Sequence, residues 1–180
     1  MELIVFDLDG TLLDGKGQIS SMTRDTLADL SRLGIAYTVA TGRTLHASRQ
    51  LLEAHNFGLP QIYKNGVMIW DPISELVLDE NYLQPDEVSQ VLEAITAVGL
   101  AAFVFTVEQG SRHLAFHTPT VTEIEKTLAG FLRGREALHV DDMSALPADA
   151  NITNISVLGE PDLVRRVRSG IRDEPHLVAY

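Results

Sequence analysis

The stretch that decides the fold is LIVFDLDGTLLDG, residues 3–15. Its first four residues are apolar and rich in β-formers, which is typical of a strand buried on both faces of a parallel sheet. Asp7 and Asp9 follow one residue apart, and Gly10 allows the backbone to turn sharply. Two carboxylates therefore stand where a buried strand should end. Taken alone, this arrangement is open to a plain interpretation as a polar strand end.

Strands and helices alternate in the sequence that follows this stretch. Apolar segments 35–40 and 61–64 predict two more strands, and residues 21–33 and 44–56 have helical spacing of their leucines. Ser20 or the serine after it is a plausible N-cap of the first helix. Strand, helix, strand, helix, strand is a doubled βαβ unit, so we predict an α/β fold with a parallel sheet.

The pattern changes after the third predicted strand. Asn-Gly at 65–66, between apolar flanks, indicates a hairpin, and short antiparallel strands continue to residue 80. We place a domain boundary there, with an α/β core at 1–83 and an α+β domain at 84–180. The predicted strands of the second domain are 101–107, 113–117, 137–140, 152–159 and 176–180, and its predicted helices are 85–98, 120–133 and 160–171.

Composition excludes several classes of function. The chain has 180 residues and a net charge of −11, with 14 Lys+Arg against 25 Asp+Glu. This balance argues against a basic surface for nucleic acid or an anionic membrane, although a metal ion can still bring a small anion to an acidic protein. There is no cysteine, which excludes disulfides and thiolate chemistry. The first apolar run is too short for a leader or a membrane span, so we predict a cytoplasmic protein.

The two aspartates have a chemical use at this place in an α/β sheet. Ligands of open α/β sheets bind outside the carboxyl ends of the strands, and residues i and i+2 of an extended chain point the same way. Both carboxylates can then face one site, where a cation such as Mg²⁺ relieves their repulsion. An aspartate beside such a cation can attack a phosphoryl group and form an aspartyl-phosphate.

A second motif lies at the end of the second predicted strand. In YTVATGR, residues 37–43, Thr41 ends the strand and Gly42-Arg43 lead into a helix. The threonine hydroxyl and amides at a helix N-terminus can hold phosphate oxygens. The alternative interpretation of this segment is a simple helix cap.

Together these segments resemble the haloacid dehalogenase superfamily of phosphohydrolases. DLDGT, residues 7–11, is similar to its motif I, and the segment ending in Arg43 is similar to its motif II. NGVMIWDP, residues 65–72, resembles the Cof-type subfamily, whose members carry an α+β cap of type C2 inserted after the third core strand. The resemblance implies that Asp7 is the nucleophile and Asp9 the general acid/base. It also implies that Mg²⁺ is held by the Asp7 carboxylate and the Asp9 main-chain carbonyl.

The resemblance extends to the rest of the site and to the reaction. It implies a Mg²⁺-dependent phosphatase acting on small phosphomonoesters, with sugar phosphates as the expected class. Asn65 is a candidate substrate contact, although a plain hairpin-turn role is its alternative. A phosphomutase that uses the same aspartyl-phosphate, or a non-catalytic phosphate-binding fragment, are the competing hypotheses. The expected phosphate-binding residues are Leu8, Gly10, Thr11, Thr41, Gly42 and Arg43.

Two motifs of the family are missing from this sequence. They are a lysine that offsets charge at the phosphoryl group and an acidic pair that completes the metal shell, both located after the cap. Lys64 is the one lysine at the expected sheet edge, and we interpret Asp141-Asp142 as a surface loop that only mimics the acidic pair. We expect the chain to be the N-terminal part of a longer protein, with an incomplete cap, and to be inactive alone.

One face of the predicted parallel sheet has no helix in this sequence to cover it. Two successive right-handed crossovers put both helices on one face of the sheet, and strand 3–6 becomes an exposed edge. We expect a C-terminal remainder of the protein, or a self-association partner, to cover it.

Overall fold

A computed structural model describes residues 3–107, 113–134, 138–171 and 177. The chain divides into two compact units, Met1–Asn81 and Tyr82–Tyr180. Within the described ranges, no helix is both long enough and apolar enough to cross a lipid bilayer.

The first unit contains the predicted doubled βαβ unit. Its first two strands are parallel, with Leu3 opposite Ala36, and a parallel bridge from Ala40 to Ile62 places the third strand beside the second. The third, fourth and fifth strands follow as an antiparallel sheet. The elements are β1 Leu3–Phe6, α1 Ser21–Arg32, β2 Ala36–Val39, α2 Leu45–Leu52, β3 Gln61–Tyr63, β4 Met68–Asp71 and β5 Leu76–Glu80.

Side-chain caps set where the two helices of this unit begin. The Ser20 hydroxyl accepts a hydrogen bond from Thr23 N at 3.1 Å, which confirms the predicted cap of α1. The Thr44 hydroxyl accepts one from Ala47 N at 3.1 Å and starts α2 immediately after Arg43. The residue that ends the second predicted motif is therefore held at a capped helix start.

Strand β1 is less buried than its sequence predicts. Leu3 is 51% exposed and Val5 is 48% exposed, while the alternating Ile4 and Phe6 are half-buried. Among the described strands β1 pairs only with β2. The apolar pattern of β1 is typical of a strand buried on both faces, but only one face is covered by the described residues, as the placement of both helices on one face of the sheet predicts. The expected exposed edge is confirmed.

The second unit is a four-stranded mixed sheet with helices on both faces. Its strand order is β8-β7-β6-β9, in which only β7 and β8 are parallel. Ala102 packs against α3 and α5, whereas its neighbour Phe103 packs against α4, so the helices lie on opposite faces. The elements are α3 Pro85–Thr96, β6 Ala102–Val107, β7 His113–His117, α4 Glu123–Arg133, β8 Leu138–Asp142, β9 Asn151–Val157 and α5 Pro161–Gly170.

Parts of the sequence prediction fall outside the described residues. These are the turn between β6 and β7 and the last predicted strand at 176–180, of which only residue 177 is described. One interpretation needs correction, because Asp141 and Asp142 end strand β8 and do not lie in a loop. The parallel pairing with β7 extends the strand over both aspartates.

A buried carboxylate on α4 accepts hydrogen bonds that link this helix to the segment before β6 in the second unit. Glu125 is 0% exposed, and its two oxygens accept backbone hydrogen bonds from Ala101 N at 2.7 Å, Val121 N at 2.7 Å and Thr122 N at 2.8 Å. Burial by itself raises the pKa of this carboxyl, but the backbone donors outweigh it and the net pKa is lowered. The carboxylate therefore stays ionised in the interior.

Candidate active site

The loop after β1 turns through an irregular helical segment, Leu8–Leu12. Gly10 has φ of 76°, a left-handed conformation that favours glycine at this turn. Leu8 is 0% exposed, whereas Asp7 and Asp9 on either side of it are exposed. The buried leucine anchors the turn and leaves both aspartates facing water.

The loop continues into a small closed turn, which the sequence suggested only as a loop. Leu13 and Ile19 form an antiparallel bridge, and the Asp14 carboxylate accepts hydrogen bonds from Lys16 N at 2.8 Å and Gln18 N at 3.0 Å. Asp14 therefore has a local structural role, because its carboxylate accepts backbone hydrogen bonds within the turn.

The second motif forms a tight connection between β2 and α2. Thr41 is 3% exposed, and its amide donates to Ile62 O at 3.0 Å. Its hydroxyl oxygen accepts a hydrogen bond from Arg43 N at 3.1 Å. The oxygen of this hydroxyl therefore stabilises the loop, and its O–H hydrogen can be donated to a ligand.

Asp9 and Arg43 join the two motifs. The guanidinium donates from Nε to Oδ2 of Asp9 at 2.8 Å and from Nη2 to Oδ1 at 2.6 Å. This fork geometry is the strong form of an Arg–carboxylate pair. The hydrogen bond from Arg43 lowers the pKa of Asp9, partly opposed by burial and aided by the charge of Arg43, and the same pairing raises the pKa of Arg43. The Asp9 side chain is 60% exposed, so water screens this interaction.

A third loop, Lys64–Gly66 between β3 and β4, is bonded to the second motif. Lys64 N donates to Arg43 O at 3.1 Å, and Asn65 N donates to Thr41 O at 3.1 Å. A Cβ at residue 42 would lie 2.9 Å from Oδ1 of Asn65, so the Asn65 side chain rests against Gly42. The hairpin predicted from Asn-Gly is confirmed, and it packs on the candidate phosphate loop.

These hydrogen bonds and contacts join the loop after β1, the β2–α2 connection and the β3–β4 loop, and they bring most of the predicted site residues together. Asp7 and Thr11 make no side-chain hydrogen bond to any residue within the described ranges. No group of three or more His, Asp or Glu side chains suited to a metal ion occurs in the described part of the chain. Asp141 and Asp142 are exposed residues of the second unit.

The donor set is compatible with a hard cation at Asp7. Mg²⁺ is commonly held by one or two carboxylates while it keeps several waters and binds substrate phosphate. The Asp7 carboxylate is exposed and unengaged by the described residues, whereas the Asp9 carboxylate is engaged by Arg43. The Asp7 side chain therefore fits the metal role, with the main chain of the turn as the second donor implied by motif I.

Sequence reasoning missed the ion pair between Asp9 and Arg43. The sequence predicts that Arg43 contacts phosphate, whereas in the structure it contacts a carboxylate. The signal was available, because β1 and β2 are adjacent parallel strands and the side chains that follow them meet at one sheet edge. An acidic side chain after one strand and a basic side chain after the other can therefore form an ion pair.

This fold and site define a haloacid dehalogenase-like hydrolase. The model of that family matches residues 4–177, and the chain belongs to the family. Within the family it is of the Cof type, and the predicted fold class is confirmed by solved structures. The haloacid dehalogenase-like hydrolase from Bacillus subtilis has a TM-score of 0.69 at 20% identity, covering 97% of this chain and 67% of that one. The subclass IIB sugar phosphatase BT4131 has a TM-score of 0.69 at 18% identity, covering 96% and 64%.

Curated relatives are phosphatases. The HMP-PP phosphatase of Enterobacter sp. (strain 638) is 30% identical over 173 residues, which span 95% of this chain and 59% of that protein. The 5-amino-6-(5-phospho-D-ribitylamino)uracil phosphatase YcsE of Bacillus subtilis is 33% identical over 91 residues, 51% of this chain and 36% of that protein. The chain thus spans less than two thirds of the length of these relatives.

Proposed function

We propose that the chain carries the nucleophile half of a Mg²⁺-dependent phosphatase that hydrolyses small phosphomonoesters through an aspartyl-phosphate. The observation that supports it most is the Asp9–Arg43 pair, because it ties the two motif loops into one site beside the exposed Asp7. Sugar phosphates are the proposed substrate class, in line with the description of BT4131 as a sugar phosphatase.

The proposed chemistry has two steps. Asp7 attacks phosphorus with a carboxylate oxygen, the bond from phosphorus to the leaving oxygen breaks, and Asp9 gives that oxygen a proton. In the second step the Asp9 carboxylate takes a proton from water, which attacks phosphorus and releases phosphate and the free Asp7 carboxylate. When bound at Asp7, Mg²⁺ would supply charge neutralisation between the carboxylate and the phosphoryl oxygens.

Arg43 has to change partner in this scheme. Its two hydrogen bonds hold Asp9 ionised, which suits a base but not an acid. A phosphate dianion competes for the same guanidinium, since Arg binds phosphate and carboxylate with similar fork geometry. Transfer of Arg43 to the phosphoryl oxygens would leave Asp9 able to hold a proton.

The second unit is the proposed cap, which would exclude water and select the substrate. We further propose that turnover needs a lysine and an acidic pair supplied by a C-terminal remainder or a partner chain. The 180 residues alone are then expected to bind phosphate analogues but to turn over slowly.

An analogue-binding experiment tests the nucleophile without requiring turnover. We expect beryllium fluoride, a mimic of the aspartyl-phosphate, to bind the full chain in the presence of Mg²⁺ and to give a bound ¹⁹F NMR signal. Asp7→Asn should abolish that signal, and Asp25→Asn, a change at an exposed position of α1, should keep it. Absence of a Mg²⁺-dependent signal in the unmodified chain would contradict the proposal.

A product assay separates the competing activities. With an aryl phosphate and Mg²⁺ we expect slow phosphate release that EDTA and Asp7→Asn both remove. Conversion of a hexose phosphate into its isomer without free phosphate would favour the phosphomutase. Fast release from the 180 residues alone would show that the missing motifs are not needed.

A further inference from the structure

The β3–β4 loop is hydrogen-bonded to both ends of the candidate phosphate loop, residues 41–43. Lys64 N donates to Arg43 O at 3.1 Å, and Asn65 N donates to Thr41 O at 3.1 Å. Two consecutive amides of one loop therefore bind the carbonyl oxygens of the first and last residues of the other. The path of the phosphate loop is tied to the backbone conformation of the β3–β4 loop.

The left-handed backbone of the β3–β4 loop allows this double contact. Lys64 has φ of 53°, Asn65 has φ of 57° with ψ of 35°, and Gly66 has φ of 98°. In an extended strand successive amides point to opposite sides, so two neighbouring amides could not both donate to one loop. A helical turn directs successive amides the same way. Asparagine and glycine adopt the left-handed region more readily than other residues, so the Asn-Gly pair suits this turn.

The side chain of Asn65 packs on the middle residue of the phosphate loop. A Cβ at residue 42 would lie 2.9 Å from Oδ1 of Asn65 and 3.5 Å from its Cγ and Nδ2. The Asn65 amide group therefore lies against the α-carbon of Gly42. Asn65 thus contacts the phosphate loop through both its backbone and its side chain.

The phosphate loop in turn fixes the backbone from which the Arg43 side chain extends. Arg43 N donates to Oγ1 of Thr41 at 3.1 Å, and the next residue, Thr44, caps α2. From this backbone the guanidinium reaches both carboxylate oxygens of Asp9, at 2.8 and 2.6 Å. A fork of two hydrogen bonds needs a defined orientation of the guanidinium plane, so a shift of the Arg43 backbone would break it.

We propose that Asn65 is a positioning residue, whose left-handed backbone holds the phosphate loop so that the Arg43 guanidinium faces Asp9 and an incoming phosphoryl group. The role of Asn65 is then indirect, because it acts through Arg43 and not through a hydrogen bond to the substrate. The part that concerns phosphate rests on the proposed function. The part that concerns Asp9 rests on the observed ion pair.

Variants of Asn65 that differ in their tolerance of a left-handed backbone test this role in the full chain. Glycine keeps the turn, alanine disfavours it, and the branched Cβ of valine disfavours it most. The first readout is the ¹⁵N NMR signal of the Arg43 Nε–H, whose exchange with water is slowed by its hydrogen bond to Asp9. The second readout is the calorimetric affinity for inorganic phosphate in the presence of Mg²⁺.

We expect both readouts to follow the backbone preference of the new residue. Asn65→Val should speed exchange of the Arg43 Nε–H and weaken phosphate binding by about tenfold or more, as for loss of a charged hydrogen bond. Asn65→Gly should weaken phosphate binding by no more than about threefold, because the turn is kept. Asn65→Ala should lie between them, and it carries the test with Asn65→Gly if the valine variant does not fold.

Asn56→Val is the matched control. Asn56 is also an exposed asparagine of the first unit, with φ of 55° and ψ of 35°. Asn56→Val and Asn65→Val should therefore lose similar stability in urea unfolding. Only Asn65→Val should lose the slow Arg43 exchange and the phosphate affinity, which separates positioning of Arg43 from a general loss of stability.

The outcomes distinguish this role from the proposed function. Equal loss of phosphate binding in Asn65→Gly and Asn65→Val would overturn the positioning role and indicate a direct substrate contact of the side chain. Unchanged Arg43 exchange in Asn65→Val and Asn65→Ala would overturn it as well. If the unmodified chain shows no saturable phosphate binding, the phosphate site fails. Faster Arg43 exchange in Asn65→Val would then still support the positioning of Arg43 on Asp9.

Discussion

Arg43 controls the charge state of the carboxylate proposed as acid and base. Two hydrogen bonds, at 2.6 and 2.8 Å, stabilise the ionised form of Asp9. The consequence is a lowered Asp9 pKa in the free protein. The residue that the sequence predicts as a phosphate contact therefore also lowers the pKa of the carboxylate that we propose as acid and base.

Removing the guanidinium should raise the Asp9 pKa. In Arg43→Gln the largest lowering contribution is lost, so the carboxyl should titrate at higher pH than in the unmodified chain. ¹³C NMR titration of the aspartate carboxyl carbons measures this directly. Arg32→Gln, which removes an exposed arginine paired with Asp29, should leave Asp9 unchanged. An unchanged Asp9 titration in Arg43→Gln would contradict the observed pairing.

Gly42 lies against the side chain of Asn65. A Cβ at residue 42 would meet Oδ1 of Asn65 at 2.9 Å, and because that atom ends a side chain it can shift, so Gly42→Ala should destabilise the first unit by about 1 kcal/mol, at the low end of overpacking costs. Gly58→Ala, where a Cβ would meet nothing within 4 Å, is the matched control. Denaturant unfolding measures both changes.

A double-mutant cycle shows whether Asn65 is the cause of that loss. Asn65→Gly suits the left-handed backbone and removes the clashing amide. The cost of Gly42→Ala should then fall by most of its value in the Asn65→Gly background. Equal costs in both backgrounds would show that residue 42 is constrained by something else.

At the scale of elements, α4 of the second unit depends on one buried carboxylate. Glu125 satisfies amides at the start of α4 and in the segment before β6, so it links a helix to a strand across 24 residues of chain. Thr122 is the N-cap of the helix, and its hydroxyl accepts a hydrogen bond from Glu125 N at 3.2 Å, which completes a capping box. Local capping and long-range attachment therefore use the same side chain.

Glu125→Gln should destabilise the second unit by about 2–4 kcal/mol, because the new amide group faces backbone N–H donors. Glu123→Gln, which changes an exposed residue of the same helix turn, should cost less than about 0.5 kcal/mol. Circular dichroism during urea unfolding measures the difference. Equal stability of the two variants would show that the buried carboxylate contributes nothing.

The same carboxylate predicts a pH dependence with a definite sign. Its folded pKa lies below its unfolded value of about 4.3, so its stabilisation is present above that value. It should be lost as pH falls through the folded pKa. The difference in unfolding free energy between the unmodified chain and Glu125→Gln should thus shrink below pH 4. A constant difference down to pH 2 would contradict this.

At the scale of the whole molecule, the main exposed apolar feature of the first unit is strand β1, which has one open edge and one uncovered face. Leu3 and Val5 are about half exposed on a strand that pairs, among the described strands, only with β2. Exposed apolar edges promote strand addition and self-association. A C-terminal remainder or a second chain are the proposed partners for this edge.

Val5→Lys should reduce self-association of the full chain. A lysine on an open edge disfavours further strand pairing at little cost to an exposed site. Size-exclusion chromatography with light scattering should show a lower apparent mass at high concentration than for the unmodified chain. Met22→Lys changes an exposed apolar residue of α1 and should have no such effect. Identical association of all three chains would exclude the β1 edge.

The sequence alone determined the order of elements, the family and the loops that carry the candidate site. These follow from local signals, since apolar periodicity, Ser20 at a helix start, Gly10 in a turn and Asn-Gly in a hairpin act within a few residues. Only the tertiary structure decided that Arg43 pairs with Asp9 and that Asn65 rests on Gly42. The physical reason is that these contacts join segments far apart in the chain. Their geometry depends on how β1, β2 and β3 align at a common edge, and periodicity within one segment carries no information about that alignment.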